Sequence, residues 1–214
     1  MIIKTLEKTI QNEKLIFTNL KAIFWEREKA LIISDLHVGK SAHFRKSGIA
    51  ISSEILLDDL QVLEDVIKYF NAEQILIVGD LFHAGHNTDL EIFCDWRNRF
   101  PDLKIILVKG NHDRIQKKFY EDYCIEVVNE SLEIQPFVFI HEPDYSGGFS
   151  ISGHIHPGVI FHGKARQLVK LPCYAISENQ LILPAFSKFT GLDTRSLGRD
   201  FKKIAFTKGI IFDF

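Results

Sequence analysis

Three short apolar runs, each broken off by a polar cluster, constrain this chain more than any other feature. Leu31-Ile32-Ile33-Ser34 ends at Asp35, Ile75-Leu76-Ile77-Val78 at Gly79-Asp80, and Ile105-Ile106-Leu107-Val108 at Gly110-Asn111-His112-Asp113. Runs of this length and composition read as strands buried on both faces. Between the first two, Leu56, Leu60, Leu63, Ile67 and Phe70 recur at three- and four-residue steps. That spacing predicts a helix over 53–70, capped by Ser52 or Ser53. Between the second and third, Thr88-Asp89-Leu90-Glu91 reads as a capping box opening a helix that ends near Pro101. Strand, helix, strand, helix, strand is the order of parallel strands joined by crossover helices.

From about residue 124 the pattern changes to short strands alone: 124–128, 137–141, 150–152, 166–171, 180–183, 203–206 and 210–214. An α/β half followed by a β half is accommodated by two sheets packed face to face with helices outside. No repeat, low-complexity stretch or Pro/Gly/Ser linker divides the chain, so residues 1–214 read as one domain. Hydrophobic residues make up 46% and charged residues 25%, which excludes a disordered chain and a coiled coil. The net charge of −2 excludes a generic nucleic-acid coat, so a nucleic-acid role needs a local patch. Three cysteines with no CxxC fit reduced thiols in the cytoplasm better than a disulfide scaffold or a cysteine zinc site. The N-terminus mixes charge in too early for a signal peptide, and no run is long enough to cross a bilayer.

Five polar clusters follow apolar strands: Asp35-Leu-His37, Gly79-Asp80, Gly110-Asn111-His112-Asp113, His141 and Gly153-His154-Ile-His156. In open α/β sheets ligands bind at that edge. On extended backbone, residues two apart point the same way, so Asp35 with His37, and His154 with His156, can each grip an ion. Two Asp, one Asn and four His are too many ligands for one ion and suit two ions sharing a carboxylate, with Asp80 placed to bridge. Mixed N/O donors favour first-row metals such as Mn, Fe or Zn over Mg or Ca. Two such ions clamp a phosphate and activate water near neutral pH. His112 is the candidate to protonate the leaving oxygen, with Asp113 to orient it. One such cluster alone is more often a capped strand end, but five in order are hard to obtain by chance.

D-x-H, GD, GNHD, H and GHxH in this order resemble the calcineurin-like metallophosphoesterase superfamily. The resemblance implies a four-layer αββα sandwich of two mixed sheets with a dinuclear site. Carried over by position, Asp35, His37, Asp80 and His156 would hold the first metal. Asp80, Asn111, His141 and His154 would hold the second, and His112 matches the family's catalytic histidine. The run from Asp35 to Lys40, the segment His43–Ile49, Leu171-Pro172-Cys173 and the stretch Leu183–Gly191 resemble a bacterial branch, the ligase-associated DNA damage response endonucleases. That resemblance implies a phosphodiesterase or nuclease acting on DNA in a repair context. The implied partners are an ATP-dependent DNA ligase, a helicase and a β-CASP nuclease. Manganese is the first expectation for the metal, with Fe, Zn or Ni next. Many superfamily members read GDxxD where this chain has Gly79-Asp80-Leu-Phe-His83.

His83 and His86 follow the bridging carboxylate and are candidates for contact with substrate. Lys40, His43, Arg45 and Lys46 form a cationic cluster beside the first metal motif. Lys40 and Arg45 are its candidates for phosphate contact. A solvated loop is the plain alternative for each. Arg114, Lys117 and Lys118 read equally well as a charged helix face, and residues 161–166 as a basic hairpin turn. Two further functions compete with the nuclease. One keeps the chemistry on a nucleotide or lipid-linked pyrophosphate; the other is a non-catalytic scaffold in a repair complex. An intact His112 speaks against the scaffold. Oligomeric state is open.

Overall fold

In the computed structural model, residues 2–52, 54–83, 87–143, 147–163, 167–198 and 200–214 are described. The first sheet begins as an antiparallel meander of β1 (Thr5–Ile10), β2 (Glu13–Thr18), β3 (Ile23–Trp25) and β4 (Ala30–Ile33). It continues in parallel through β5 (Gln74–Val78), β6 (Lys104–Val108) and β7 (Ile125–Val128). α2 (Glu54–Phe70), α3 (Thr88–Asn98) and α4 (Lys117–Asp122) make the three crossovers. Ile33 pairs with Ile77 and Val78 with Val108. The strands therefore end level, and the polar clusters behind them emerge on one edge.

The second sheet is also mixed. Its order is β15 (Ile211–Asp213), β14 (Lys202–Phe206), β12 (Leu168–Ile176), β13 (Gln180–Ile182), β10 (Phe149–Ser152), β9 (Phe137–Ile140) and β8 (Ser131–Ile134). β11 (Gly158–His162) forms a hairpin on β12. The strand pleat assigns each apolar residue to a layer. Ile32, Leu76, Val78, Ile106 and Val108 meet Phe137, Phe139, Ile151, Tyr174, Leu181 and Ile204 between the sheets. Their neighbours Leu31, Ile33, Ile75, Ile77, Ile105 and Leu107 face the helices. Each such buried aliphatic contributes about 1.5–3 kcal/mol.

The two mixed sheets flanked by helices are the expected sandwich. The helical cover lies on the first sheet. Leu56, Leu60, Leu63 and Ile67 of α2, Leu90, Phe93 and Trp96 of α3, and Tyr120 of α4 all join its cluster. Outside the second sheet, Val159, Cys173 and Ala205 form a small cluster with no helical member among the described residues. Ser52 Oγ accepts from the Glu54 amide as a cap for α2, while Ser53 lies outside the described residues. The cap of α3 differs from the expected Thr88. Asn87 Oδ1 accepts from the amides of Asp89 and Leu90 at 2.9 and 3.3 Å. No described helix is long and apolar enough to cross a membrane.

Candidate metal centre

The loops leaving β4 and β5 are laced together by their backbones. Asp35 N–H donates to Gly79 O at 3.0 Å and His37 N–H to Asp80 O at 2.9 Å. Asp35, His37, Asp80, His154 and His156 all hold positive φ, between 51° and 67°. Side-chain-bearing residues rarely adopt that region, although Asp and His are among those enriched there. These left-handed turns, rather than the extended backbone expected from the two-residue spacing, bring the paired side chains into the clusters. Gly79 has φ 82°, and a Cβ there would lie 1.9 Å from His141 Nδ1. Only glycine lets β5 end beneath that ring.

Two clusters result. In the first, donor atoms of Asp35, His37 and His156 all lie within 4.8 Å of one another. His156 Nε2 is 3.2 Å and His37 Nε2 3.9 Å from Asp35 Oδ1. Yet Asp35 Oδ1 and both nitrogens of His37 are buried without a hydrogen bond among the described residues. A buried polar atom without a partner costs about 1–3 kcal/mol, and a cation between these donors relieves Asp35 Oδ1 and the His37 nitrogen that faces it. Burial drives the His37 imidazole down to about 3. It is therefore neutral, the form that ligates.

The second cluster is Asp80, His141 and His154. His141 Nε2 sits 3.2 Å from Asn111 Oδ1, 3.2 Å from His154 Nδ1 and 3.4 Å from Asp80 Oδ2. Its Nδ1 donates to Val78 O at 3.2 Å, which orients the ring and leaves Nε2 as the nitrogen that faces the cluster. Burial raises the Asp80 carboxyl, but the hydrogen bond and charge of His141, the His112 amide and His37 outweigh it and hold it at about 2. His141 is pushed the other way, to about 9: burial lowers it, and Asp80 and Asp35 overcome that. Two carboxylates thus demand positive charge here, and the N/O donors suit a first-row divalent ion. The donor sets fit two metal ions. Asn111 and His154 are exposed, so the second cluster faces solvent while the first is deeper.

The remaining predicted residues divide. The His112 amide donates to Asp80 Oδ1 at 2.9 Å, and its ring stacks on His83 at 4.4 Å and meets His37 edge-on at 5.7 Å. His83 also meets His37 at 5.4 Å and His43 at 5.8 Å. Burial, with the charges of His112, Lys40 and His43, lowers its imidazole to about 4. Lys40 is half-buried. Burial lowers its ammonium against the pull of Asp35 and Asp80, which places its charge beside both clusters. Two expectations fail. Asp113 does not orient His112: its oxygens accept from the amides of Phe82 at 2.8 Å and Gly110 at 2.9 Å. It is fully buried and ties the two loops together, and burial raises its carboxyl to about 7. Arg45 is not free for phosphate: its Nη2 donates to buried Asp89 at 2.7 Å and its Nη1 to Ile51 O at 3.3 Å. The charged run itself forms α1 (Lys40–Lys46), which brings His43 into the ring cluster. His86 and residues 164–166 lie outside the described residues. Cys94 and Cys173 are buried, Cys124 is exposed, and all three are free thiols.

Residues 29–181 match the family model of the calcineurin-like phosphoesterases. Among solved structures, the chain is similar to the Pseudomonas putida nuclease MPE. Identity is 29%, the match covers 99% of this chain and 100% of that one, and the TM-score is 0.85. Slighter likenesses, at TM-scores of 0.45 and 0.43, are to a protein of unknown function, AQ665, from Aquifex aeolicus and to Yfce, a phosphoesterase from E. coli. The first is 19% identical over 59% of this chain and 78% of that one; the second is 12% identical over 82% and 87%. No curated protein matches the chain.

Proposed function

This chain belongs to the calcineurin-like phosphoesterase family, and from that premise we propose that it is a two-metal phosphodiesterase whose substrate is DNA. The observation that carries the reading is the pair of adjoining donor clusters, one buried and one open to solvent. Asp35, His37, Asp80 and His156 would hold one cation; Asp80, Asn111, His141 and His154 would hold the other. Divalent ions supply Lewis acidity there, drawing charge from phosphate oxygens and easing deprotonation of water. His112 stands where it can give a proton to the departing oxygen, and Asp113 sets the loop that carries it. Lys40, with His83 and His43 beside it, meets the phosphate's charge. DNA as substrate is supported by this basic rim on a chain of net charge −2 and by the full-length likeness to a nuclease. Manganese, a single domain over 1–214, a cytoplasmic setting and repair partners (ligase, helicase, β-CASP nuclease) belong to the same proposal.

The test is metal content followed by hydrolysis of bis-p-nitrophenyl phosphate and of DNA with Mn²⁺. Wild type is expected to hold about two equivalents of metal, as a two-metal site requires, and Asp80→Ala to lose turnover and most of the metal. Turnover of Asp80→Ala at the wild-type rate would refute the mechanism. No metal and no turnover with Mn, Fe, Ni or Zn would leave the scaffold reading. Competition by nucleotides or pyrophosphates, but not DNA, would shift the substrate.

A further inference from the structure

The chemistry described so far makes no use of the turn Phe186–Lys188, which lies directly behind Asp35. The Phe186 amide donates to Ser34 O at 2.8 Å and the Ser187 amide to Asp35 O at 3.2 Å. From the opposite flank, Asp35's own amide donates to Gly79 O. The Asp35 peptide is gripped on both sides, and it needs to be. At φ 55° Asp35 holds a left-handed conformation that side-chain-bearing residues rarely adopt, and the contacts of its carboxylate with His37 and His156 depend on that conformation being kept.

Two charged side chains from distant elements hold that turn. Asp59 of α2 is 2% exposed, and its Oδ2 and Oδ1 accept from the Lys188 amide at 3.0 and 3.3 Å. Lys21, between β2 and β3, sends its ammonium to Ser187 O at 2.9 Å and Phe186 O at 3.2 Å. The pair satisfies the turn's outward-facing groups, so its inward amides are left to Ser34 and Asp35. The second cluster has further anchors of its own, His141 on Val78 O and the Gly110–Asp113 loop on the Asp113 carboxylate, and meets Asp35 through the His154 amide, which donates to Asp35 Oδ2 at 3.1 Å.

We infer that Asp59 and Lys21 are positioning residues for the first metal cluster, acting through the Phe186–Lys188 turn on the backbone of Asp35. The inference rests on the two-cluster metal reading, and it makes a claim that reading does not: loss of the clamp weakens one metal more than the other. Groups that orient a metal's ligands from outside are worth about 10–100-fold in metal affinity.

The experiment is titration of metal-free protein with Mn²⁺, followed by calorimetry and by the EPR of free Mn²⁺, for wild type, Asp59→Ala and Lys21→Gln. Each variant is expected to weaken one of two binding steps by about 10–100-fold and the other by clearly less. Asp59→Asn keeps an acceptor for the Lys188 amide and should recover most of the lost affinity. At limiting Mn²⁺, kcat on bis-p-nitrophenyl phosphate should fall with KM unchanged, and excess Mn²⁺ should restore it. Wild-type affinity at both steps in the folded variants would overturn the inference. So would equal weakening of both steps, or failure of both variants to unfold cooperatively in chelator, because the pair would then be supporting the fold at large. If wild type binds two Mn²⁺ but cleaves no phosphodiester, the functional reading fails while the clamp is still decided by the titration.

Discussion

Asp59 also makes a prediction about stability that needs no metal. Burial lifts its carboxyl from an ordinary 3.8 to about 6, against the opposing pulls of the Lys188 amide and Lys21. The unfolded chain therefore loses this proton near pH 3.8 and the folded chain near pH 6. Between those values the unfolded state binds fewer protons, so wild-type stability falls as pH rises. The whole contribution is about 3 kcal/mol, of which about 2 kcal/mol develops between roughly pH 4.5 and 6.5. Lys21, lowered by burial from 10.5 to about 8, stays charged across that window. Asp59→Asn removes the titration and keeps the acceptor for the Lys188 amide. The assay is urea unfolding followed by circular dichroism at both pH values, in chelator so that metal linkage does not enter. Asp59→Asn should gain about 2 kcal/mol on wild type between the lower and the higher pH. Any constant offset from the substitution cancels. Parallel stabilities, or a wild type that gains on the variant as pH rises, would refute the account of a carboxylate ionised against its surroundings.

Three further outcomes follow from the geometry. His112→Ala should keep its metal and lose about 10²–10⁴-fold in turnover on DNA. The loss should be smaller on bis-p-nitrophenyl phosphate, because nitrophenolate departs without a proton; equal losses would remove His112 from the leaving oxygen. Arg45→Met strips buried Asp89 of its cation and should cost about 1–3 kcal/mol in unfolding experiments. Its KM for DNA should not move, and a raised KM at unchanged stability would return Arg45 to the substrate. Gly79→Ala forces a Cβ against the His141 ring and should cost about 1–3 kcal/mol as overpacking. Metal analysis should show it losing metal from the second cluster first, and a fully loaded variant would show that the ring has room to move.

Much of this protein is written in short-range pattern. A four-residue apolar run that stops at Asp35, Asp80 or Gly110 is a buried strand reaching its end whatever surrounds it, because strand period and burial depend on near neighbours. Parallel strands bring their C-terminal ends to one edge, so the convergence of Asp35, Asp80, Asn111, His141, His154 and His156 was legible before any coordinates. The stripe of Leu56, Leu60, Leu63 and Ile67 placed α2 in the same way. Other features depended on which distant groups meet. Arg45 has a partner 44 residues away in Asp89, Asp113 spends its carboxylate on the Phe82 and Gly110 amides, and Asn87 displaces Thr88 as a cap. His43 joins His83 and His112 only because the charged run coils into α1, and Asp59 reaches Lys188 only because α2 packs against the end of the second half of the chain. Apolar residues need only be buried, and many neighbours will serve, so periodicity decides them. A polar group needs one partner at one distance and angle, and only the packed tertiary structure decides which group that is.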